Sequence, residues 1–454
     1  MSGFLFVVPP LVGHINPAVG VADRLLARGH RVAWACADPG LVGRLAGDRA
    51  PVFPCAGPVP GVGEARRPPG LRGPEALKFL WEWYLLPLAE AMAPGVRAAV
   101  EAFRPDVVVA DQQAFAGALV AERAGLPWAT SATTSAEFAD PLAGLPKVAE
   151  WVTERLTGLR ASVGDPAGDT DPRFSPYLVL AFSTVELAGA RAAGRGGPVR
   201  WVGPSVTARP APAGFPWDWL DPGRATVLVT LGTANADAGG RFLEVCREAL
   251  RARADRVQAV VVDPGGALGT DAGSSPGDFR HPGSFPHPGG IPSPDSDRPP
   301  VDIVSRHGVA SPNGTRVAYG NSAPYDTRPP HGHDKDLLVL PSVPQLALLE
   351  RVDAVICHAG HNTVCEALWH GVPLVVAPIR DDQPVVAGQV TDAGAGVRVR
   401  FGRVTADQLG AALDAVLHEP GHRAAAVRIG TAFRAAGGAP AAADSLEQLA
   451  REYR

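Results

Sequence analysis

Residues 353–394, DAVICHAGHNTVCEALWHGVPLVVAPIRDDQPVVAGQVTDAG, limit what this chain can fold into more than any other stretch. Ala354, Val355 and Ile356 form a short apolar run of the kind found in a parallel strand buried on both faces. His358-Ala359-Gly360 then turns the chain. Asn362 is a good N-cap residue, and Val364, Ala367 and Leu368 keep helical spacing as far as Gly371. Gly371-Val372-Pro373 stops that helix, and Leu374 to Ala377 reads as a second strand. Asp382-Gln383-Pro384 follows at its carboxyl end, with Pro384 placed to open another helix. Strand, polar turn, helix, twice over, is a doubly wound α/β unit, and such sheets bind ligands beyond the carboxyl ends of their strands.

Both polar turns fall at those ends. A helix N-terminus offers unpaired N–H groups and the positive end of a dipole, which suits a phosphate or diphosphate. His358 beside it can add a hydrogen bond, and Glu366, one helical turn beyond Asn362, can accept bonds from ribose hydroxyls. Asp382 and Gln383 together accept and donate, which suits the vicinal hydroxyls of a hexose. Taken singly, His358 and Glu366 also read as a helix cap and a solvated face. The concentration of all these polar residues at two successive strand ends favours the binding site.

The run HAGHNTVCEALWHGVPLVVAPIRDDQP resembles the donor-binding signature of nucleotide-sugar-dependent glycosyltransferases of the UDP-glucosyltransferase superfamily, in particular bacterial antibiotic and macrolide glycosyltransferases. The residues that match are His358, Gly360, Asn362, Thr363, Glu366, Gly371 to Pro373, and Asp382-Gln383. The resemblance implies a GT-B fold: two Rossmann-like, doubly wound parallel-sheet domains facing across a cleft, with the donor on the C-terminal one.

Length and composition agree with that class. A chain of 454 residues suits two domains. Residues 1–207 are expected to form an acceptor-binding domain, 208–223 a Pro- and Ala-rich linker, and 224–454 a donor-binding domain whose terminal helices cross back to the first. A net charge of −4 without basic blocks argues against a nucleic-acid partner. The five cysteines are scattered and include no CxxC pair, so they read as buried thiols in a reducing cytoplasm. No apolar run reaches bilayer length, so a soluble monomer or weak homodimer is expected.

Phe4 to Val8 reads as the first strand, Pro9 to Ile15 as a loop, and Asn16-Pro17 as the cap and opening of a helix closed by Gly29. That places His14 at the first strand's carboxyl end. Pro105 to Asp111 reads as a strand ending in a carboxylate, which could also serve as an N-cap for a helix from Gln112. The spacing of Val8, Gly13, His14, Asn16 and Pro17 resembles the family's N-terminal motif. The resemblance implies that His14 is a general base for the acceptor hydroxyl and that Asp111 orients it. A helical stretch from Pro74 to Phe103 carries Phe79 and Trp83; with Phe115 and Phe138 these are the candidates to line a pocket for a flat, apolar acceptor.

Thr226 to Thr233 reads as a strand ending in a glycine turn, and Gly232 and Thr233 resemble the family's phosphate-contacting loop. Residues 264–336 are dense in Pro, Gly, Ser, His and Asp and read as a disordered insertion. Within it, His331 and His333 lack the flanking ligands a metal site needs. Val343 and Gln345 fall where relatives hold the nucleotide base, and Val343 stands where plant members carry a stacking tryptophan.

The chain thus reads as an inverting, metal-independent glycosyltransferase with no cofactor beyond a UDP- or dTDP-sugar co-substrate, acting on a small hydrophobic natural product. A non-catalytic nucleotide-sugar-binding protein and a nucleotide-sugar epimerase on the same architecture are the alternatives.

Overall fold

A computed structural model describes residues 1–59, 71, 73–193, 197–207, 209, 214–232, 239–269 and 335–453. Two parallel sheets organise them. The first has seven strands in the order β3-β2-β1-β4-β5-β6-β7: β1 (Gly3–Val7), β2 (Arg31–Cys36), β3 (Val52–Pro54), β4 (Val107–Asp111), β5 (Trp128–Ala132), β6 (Leu178–Ala181) and β7 (Val199–Trp201). The second has six in the order β10-β9-β8-β11-β12-β13: β8 (Ala225–Thr230), β9 (Val257–Val262), β10 (Leu337–Leu340), β11 (Ala354–Cys357), β12 (Leu374–Val376) and β13 (Gly396–Arg398). Each order reverses direction once, between β1 and β4 and between β8 and β11. Those are the switch points at which open α/β sheets form crevices.

The central strands are apolar at nearly every position because helices cover both faces. In β1, Phe4 and Phe6 enter the core on one face while Leu5 and Val7 enter the core on the other. In the second sheet Leu228 and Val355 face one layer, and Val227, Val229 and Ile356 the opposite one. The final helix, Gly438–Glu452, leaves the second half and packs beside the helix Val12–Ala27. Its Leu446 is fully buried in the first sheet's core, and Asp444 and Glu447 pair with Arg28.

Three local readings are corrected. The first helix begins at Val12, with Leu11 as its cap, so Pro17 lies inside it and His14 sits in its first turn rather than in a loop. Pro17 has no N–H to give the carbonyl of Gly13. That carbonyl instead accepts a hydrogen bond from Asn362 Nδ2, at 2.7 Å, across from the other half of the chain. Asn362 is free to do so because it is not the cap of its own helix: His361–Trp369 is capped by Gly360 in extended conformation. The stretch from Gly73 to Phe103 is helical but winds as a π-helix over Trp81–Leu85, a device that re-aims side chains near binding sites.

Both ends of the stretch read as an insertion, residues 264–269 and 335–336, lie among the described residues. Asp263 accepts from the backbone N–H of Leu268 at 2.8 Å, Leu268 is buried, and Asp336 pairs with Arg224 at 2.6 Å. Residues 270–334, with His331 and His333, lie outside the described residues.

Candidate active site

The carboxyl ends of the two sheets face each other across a cleft of about 2010 Å³. Turns after β1, β4 and β5 line it from one side, and turns after β8, β10, β11 and β12 from the other. The halves meet through polar contacts. Thr134 Oγ1 donates to Asp382 Oδ2 at 2.7 Å, and Ser135 Oγ donates to Gln389 Oε1 at 2.6 Å. Each joins a residue just beyond β5 to the turn or helix just beyond β12.

On the first side, β1, β4 and β5 are neighbours, so three residues at their ends converge. His14 Nδ1 lies 2.9 Å from Asp111 Oδ1 and 2.8 Å from Thr133 Oγ1. Thr133 also donates to Asp111 Oδ2 at 3.3 Å, and the backbone N–H of Gln113 donates to Asp111 Oδ1 at 2.8 Å. Asp111 therefore braces the turn before its helix as well as the imidazole, although that helix starts at Phe115, not Gln112. Asp111 is almost fully buried while His14 keeps part of its ring exposed. Burial alone would lower the His14 pKa. The Asp111 carboxylate outweighs it through charge and hydrogen bond, with help from Asp382, and the pKa ends above its usual 6.5. With Nδ1 engaged, Nε2 is the nitrogen left to take up a proton.

On the second side, the turns after β11 and β12 each carry a residue with left-handed backbone, Ala359 at φ 64° and Asp381 at φ 57°. Such strained positions persist where the surrounding structure holds them, and they gather at ligand sites. His358 lies between two glycines. A Cβ on Gly232, itself at φ 69°, would sit 2.8 Å from the imidazole, and a Cβ on Gly360 would collide with its Nε2. Burial pushes the His358 pKa down to about 4; the Thr230 backbone opposes this and Arg380 adds to it, so the ring is neutral at pH 7. Gly360 and Thr363 place the N-terminal turn of His361–Trp369 against the cleft.

Buried Glu366 is held from two directions: Gln345 Nε2 donates to Oε2 at 2.7 Å, and Arg209 donates to Oε1 at 2.6 Å. Gln383 is fixed by its own turn, its Oε1 accepting from the N–H groups of Ile379 and Arg380. Asp382 has a raised pKa, from burial first and the neighbouring Asp381 second, opposed by the Thr134 bond and by His14. Val343 lines the cleft and packs on the second core. Thr233 lies outside the described residues.

Of the four aromatic candidates, Phe79 and Trp83 stack at 6.0 Å at the cleft mouth, where Trp83 is 59% exposed. Phe115 is buried beneath the cleft, packed on Trp81 at 5.5 Å. Phe138 is not a cleft residue. It is buried against Trp201 at 4.9 Å and Phe174 at 5.8 Å, because its short 3-10 turn, Ala136–Ala139, directs it at the edge of the first sheet.

Against that geometry, residues 323–435 match the family model described as UDP-glucoronosyl and UDP-glucosyl transferase. Over that segment the chain is similar to the UDP-glucosyltransferase superfamily. Along its length this glycosyltransferase is 29% identical, over 484 aligned positions, to 4'-demethylrebeccamycin synthase of Lentzea aerocolonigenes, covering 98% of this chain and 99% of that one. It is 28% identical to demethyllactenocin mycarosyltransferase of Streptomyces fradiae, covering 99% and 87%. Its fold matches that of the solved glycotransferase of kitacinnamycin with a TM-score of 0.66, at 24% identity and over 99% of this chain and 98% of that one. The fold is GT-B, and the chain is a nucleotide-sugar-dependent glycosyltransferase.

Several residues of this glycosyltransferase's cleft were not singled out from sequence: Thr133 and Thr134, Gln112, and Arg209. The polar run Thr130 to Asp140, which starts within β5 and continues past its end, carried a signal for the first two. Arg209 sits alone in a Pro/Ala-rich segment, and nothing in the sequence links it to Glu366, 157 residues away. Among the described residues no group of three His, Cys, Asp or Glu side chains could hold a metal ion. Among them, too, no helix is long and apolar enough to cross a membrane.

Proposed function

We propose that this enzyme transfers a hexose, with inversion, from a UDP- or dTDP-sugar to a small hydrophobic natural product. The observation that carries the reading is the His14–Asp111 pair, open to one side of a cleft whose other side bears His358, Glu366 and the turn holding Asp382. His14 removes the proton of the acceptor hydroxyl through Nε2 as that oxygen attacks the anomeric carbon. Asp111 keeps Nδ1–H pointing inward and stabilises the imidazolium that forms. The bond from the anomeric carbon to the diphosphate breaks in line, and the sugar inverts.

The departing diphosphate gains negative charge. Neutral His358, able to donate, and the helix N-terminus at Gly360 to Thr363 are set to receive it. These donors take the role a divalent cation would otherwise fill, so we propose metal-independent transfer. Glu366 would hold the ribose hydroxyls with Gln345 beside it, and Asp382 and Gln383 the hexose. The acceptor class is supported by the relatives, whose names carry 4'-demethylrebeccamycin and demethyllactenocin, and by the aromatic pair at the cleft mouth. The cysteines at 36, 55, 246, 357 and 365 are all free and buried, as suits a reducing cytoplasm. The described residues this reading uses all come from one chain, which supports a monomer or weak homodimer as the working state.

The test is a pair of measurements on wild type and His14→Ala. Thermal-shift titration with UDP and dTDP, with and without EDTA, should give an EDTA-insensitive rise in melting temperature for both proteins. Transfer of labelled hexose to a panel of polyketide and aromatic aglycones should occur only with wild type. Unchanged transfer by His14→Ala would overturn the assignment of the base. Binding without transfer by wild type would favour a non-catalytic nucleotide-sugar-binding protein.

A further inference from the structure

Gln112 follows Asp111 directly and lines the same cleft. It is only 3% exposed, and its backbone N–H is tied to Ser131 O at 3.1 Å. Yet neither end of its side-chain amide has a hydrogen-bond partner among the described residues: Oε1 and Nε2 are both buried and both unpaired. Buried amides are nearly always satisfied, and one left open on both its donor and acceptor sides calls for a partner the protein itself does not supply. Neighbouring Asp111 shows the alternative, since its two oxygens are shared among His14, Gln113 and Thr133.

We propose that Gln112 is a specificity residue that reads an amide-like edge on the acceptor, an N–H and a C=O side by side as in a lactam or imide. Its Oε1 accepts from the acceptor N–H while its Nε2 donates to the carbonyl, so one contact satisfies both orphaned atoms. The inference rests on the proposed transfer reaction for its setting. Because Gln112 adjoins Asp111, and Asp111 lies 2.9 Å from His14, the edge it reads lies close to the group that becomes glycosylated. A single hydroxyl or ketone on an otherwise apolar acceptor would leave one end of the amide unpaired. A site built on paired hydrogen bonds discriminates strongly against a ligand that lacks one of them, because its own polar group is then stranded.

The experiment is calorimetric titration of the full-length protein with 2-quinolone, a flat aromatic lactam, and with N-methyl-2-quinolone, which keeps the ring and carbonyl but loses the donor. Wild type is expected to bind the lactam at least about tenfold more tightly than its N-methyl form. Gln112→Leu, similar in length but apolar, should bring the two ligands within about twofold of each other while binding of UDP or dTDP stays at the wild-type level. The proposal is overturned if wild type binds both quinolones equally or binds neither, or if Gln112→Leu keeps the preference. The wild-type comparison decides the matter even where the variant folds poorly. Failure of the glycosyltransfer reading would show separately, as wild type that binds no nucleotide or transfers no sugar.

Discussion

Asp111→Asn isolates what the buried carboxylate does for His14. Asparagine keeps the shape, and its Oδ1 can still accept from the N–H of Gln113, so the turn before Phe115–Arg123 should hold. The charge is gone, and with it the influence that outweighs burial and raises the His14 pKa. The wild-type acid limb of kcat/KM should therefore lie above the ordinary histidine value of about 6.5, because only neutral His14 can act as base. In Asp111→Asn it should fall below that value, since burial now dominates. Thr133 still reaches Nδ1 at 2.8 Å, so the imidazole is held but no longer braced by a negative charge. The expected loss in kcat is about 100- to 1000-fold, inside the range for a positioned general base.

Stability should follow the same group. A histidine whose folded pKa is raised contributes stability fully present below its unfolded pKa and lost as pH rises through the folded one. Asp111→Asn should therefore cost more stability at about pH 5.5 than at about pH 8.5 in urea titrations. A variant that transfers within threefold of wild type, or whose acid limb stays in place, would refute the reasoning.

Three further outcomes are expected. Gly232→Ala places a methyl 2.8 Å from the His358 ring at a left-handed backbone position, so it should lower the melting temperature and weaken nucleotide binding together. Trp83→Ala removes a mostly exposed ring from the cleft mouth, so steady-state kinetics should show a higher acceptor KM with little change in melting temperature or nucleotide affinity. Asn362→Ala should cost about 0.5–1 kcal/mol in denaturant titration by stripping the Gly13 carbonyl of its donor; in a Pro17→Ala background, where residue 17 regains an N–H for that carbonyl, the cost should shrink.

What the sequence made legible was what is local. The central strands are continuous apolar runs because both sheet faces are covered, so β8 and β11 could be placed closely from those runs alone. The proposed donor half is a linear motif, with His358, Glu366 and Asp382 carried on two adjacent strand–turn–helix units. Asp111 and His14, 97 residues apart, were paired through the resemblance rather than from spacing. Contacts that depend on how the two sheets face each other left no local mark: Thr134 on Asp382, Ser135 on Gln389, Asn362 on Gly13, Arg209 on Glu366. Asn362 illustrates the cause. Its residue type fits an N-cap, but Gly360 takes the extended cap conformation first and leaves the asparagine to a partner 349 residues away. Phe138 misled in the opposite sense, since aromaticity alone does not tell a pocket wall from a sheet edge.

The most direct measurement is the anomeric configuration of the product. UDP-α-D-glucose or dTDP-α-D-glucose, whichever nucleotide raises the melting temperature, would be incubated with wild type and an accepted aglycone, and the anomeric proton coupling of the glycoside read by NMR. In-line attack by an oxygen deprotonated at His14 predicts the β-glycoside alone. An α-glycoside would contradict the account, because it requires a path in which His14 and the departing diphosphate do not lie on opposite sides of the sugar.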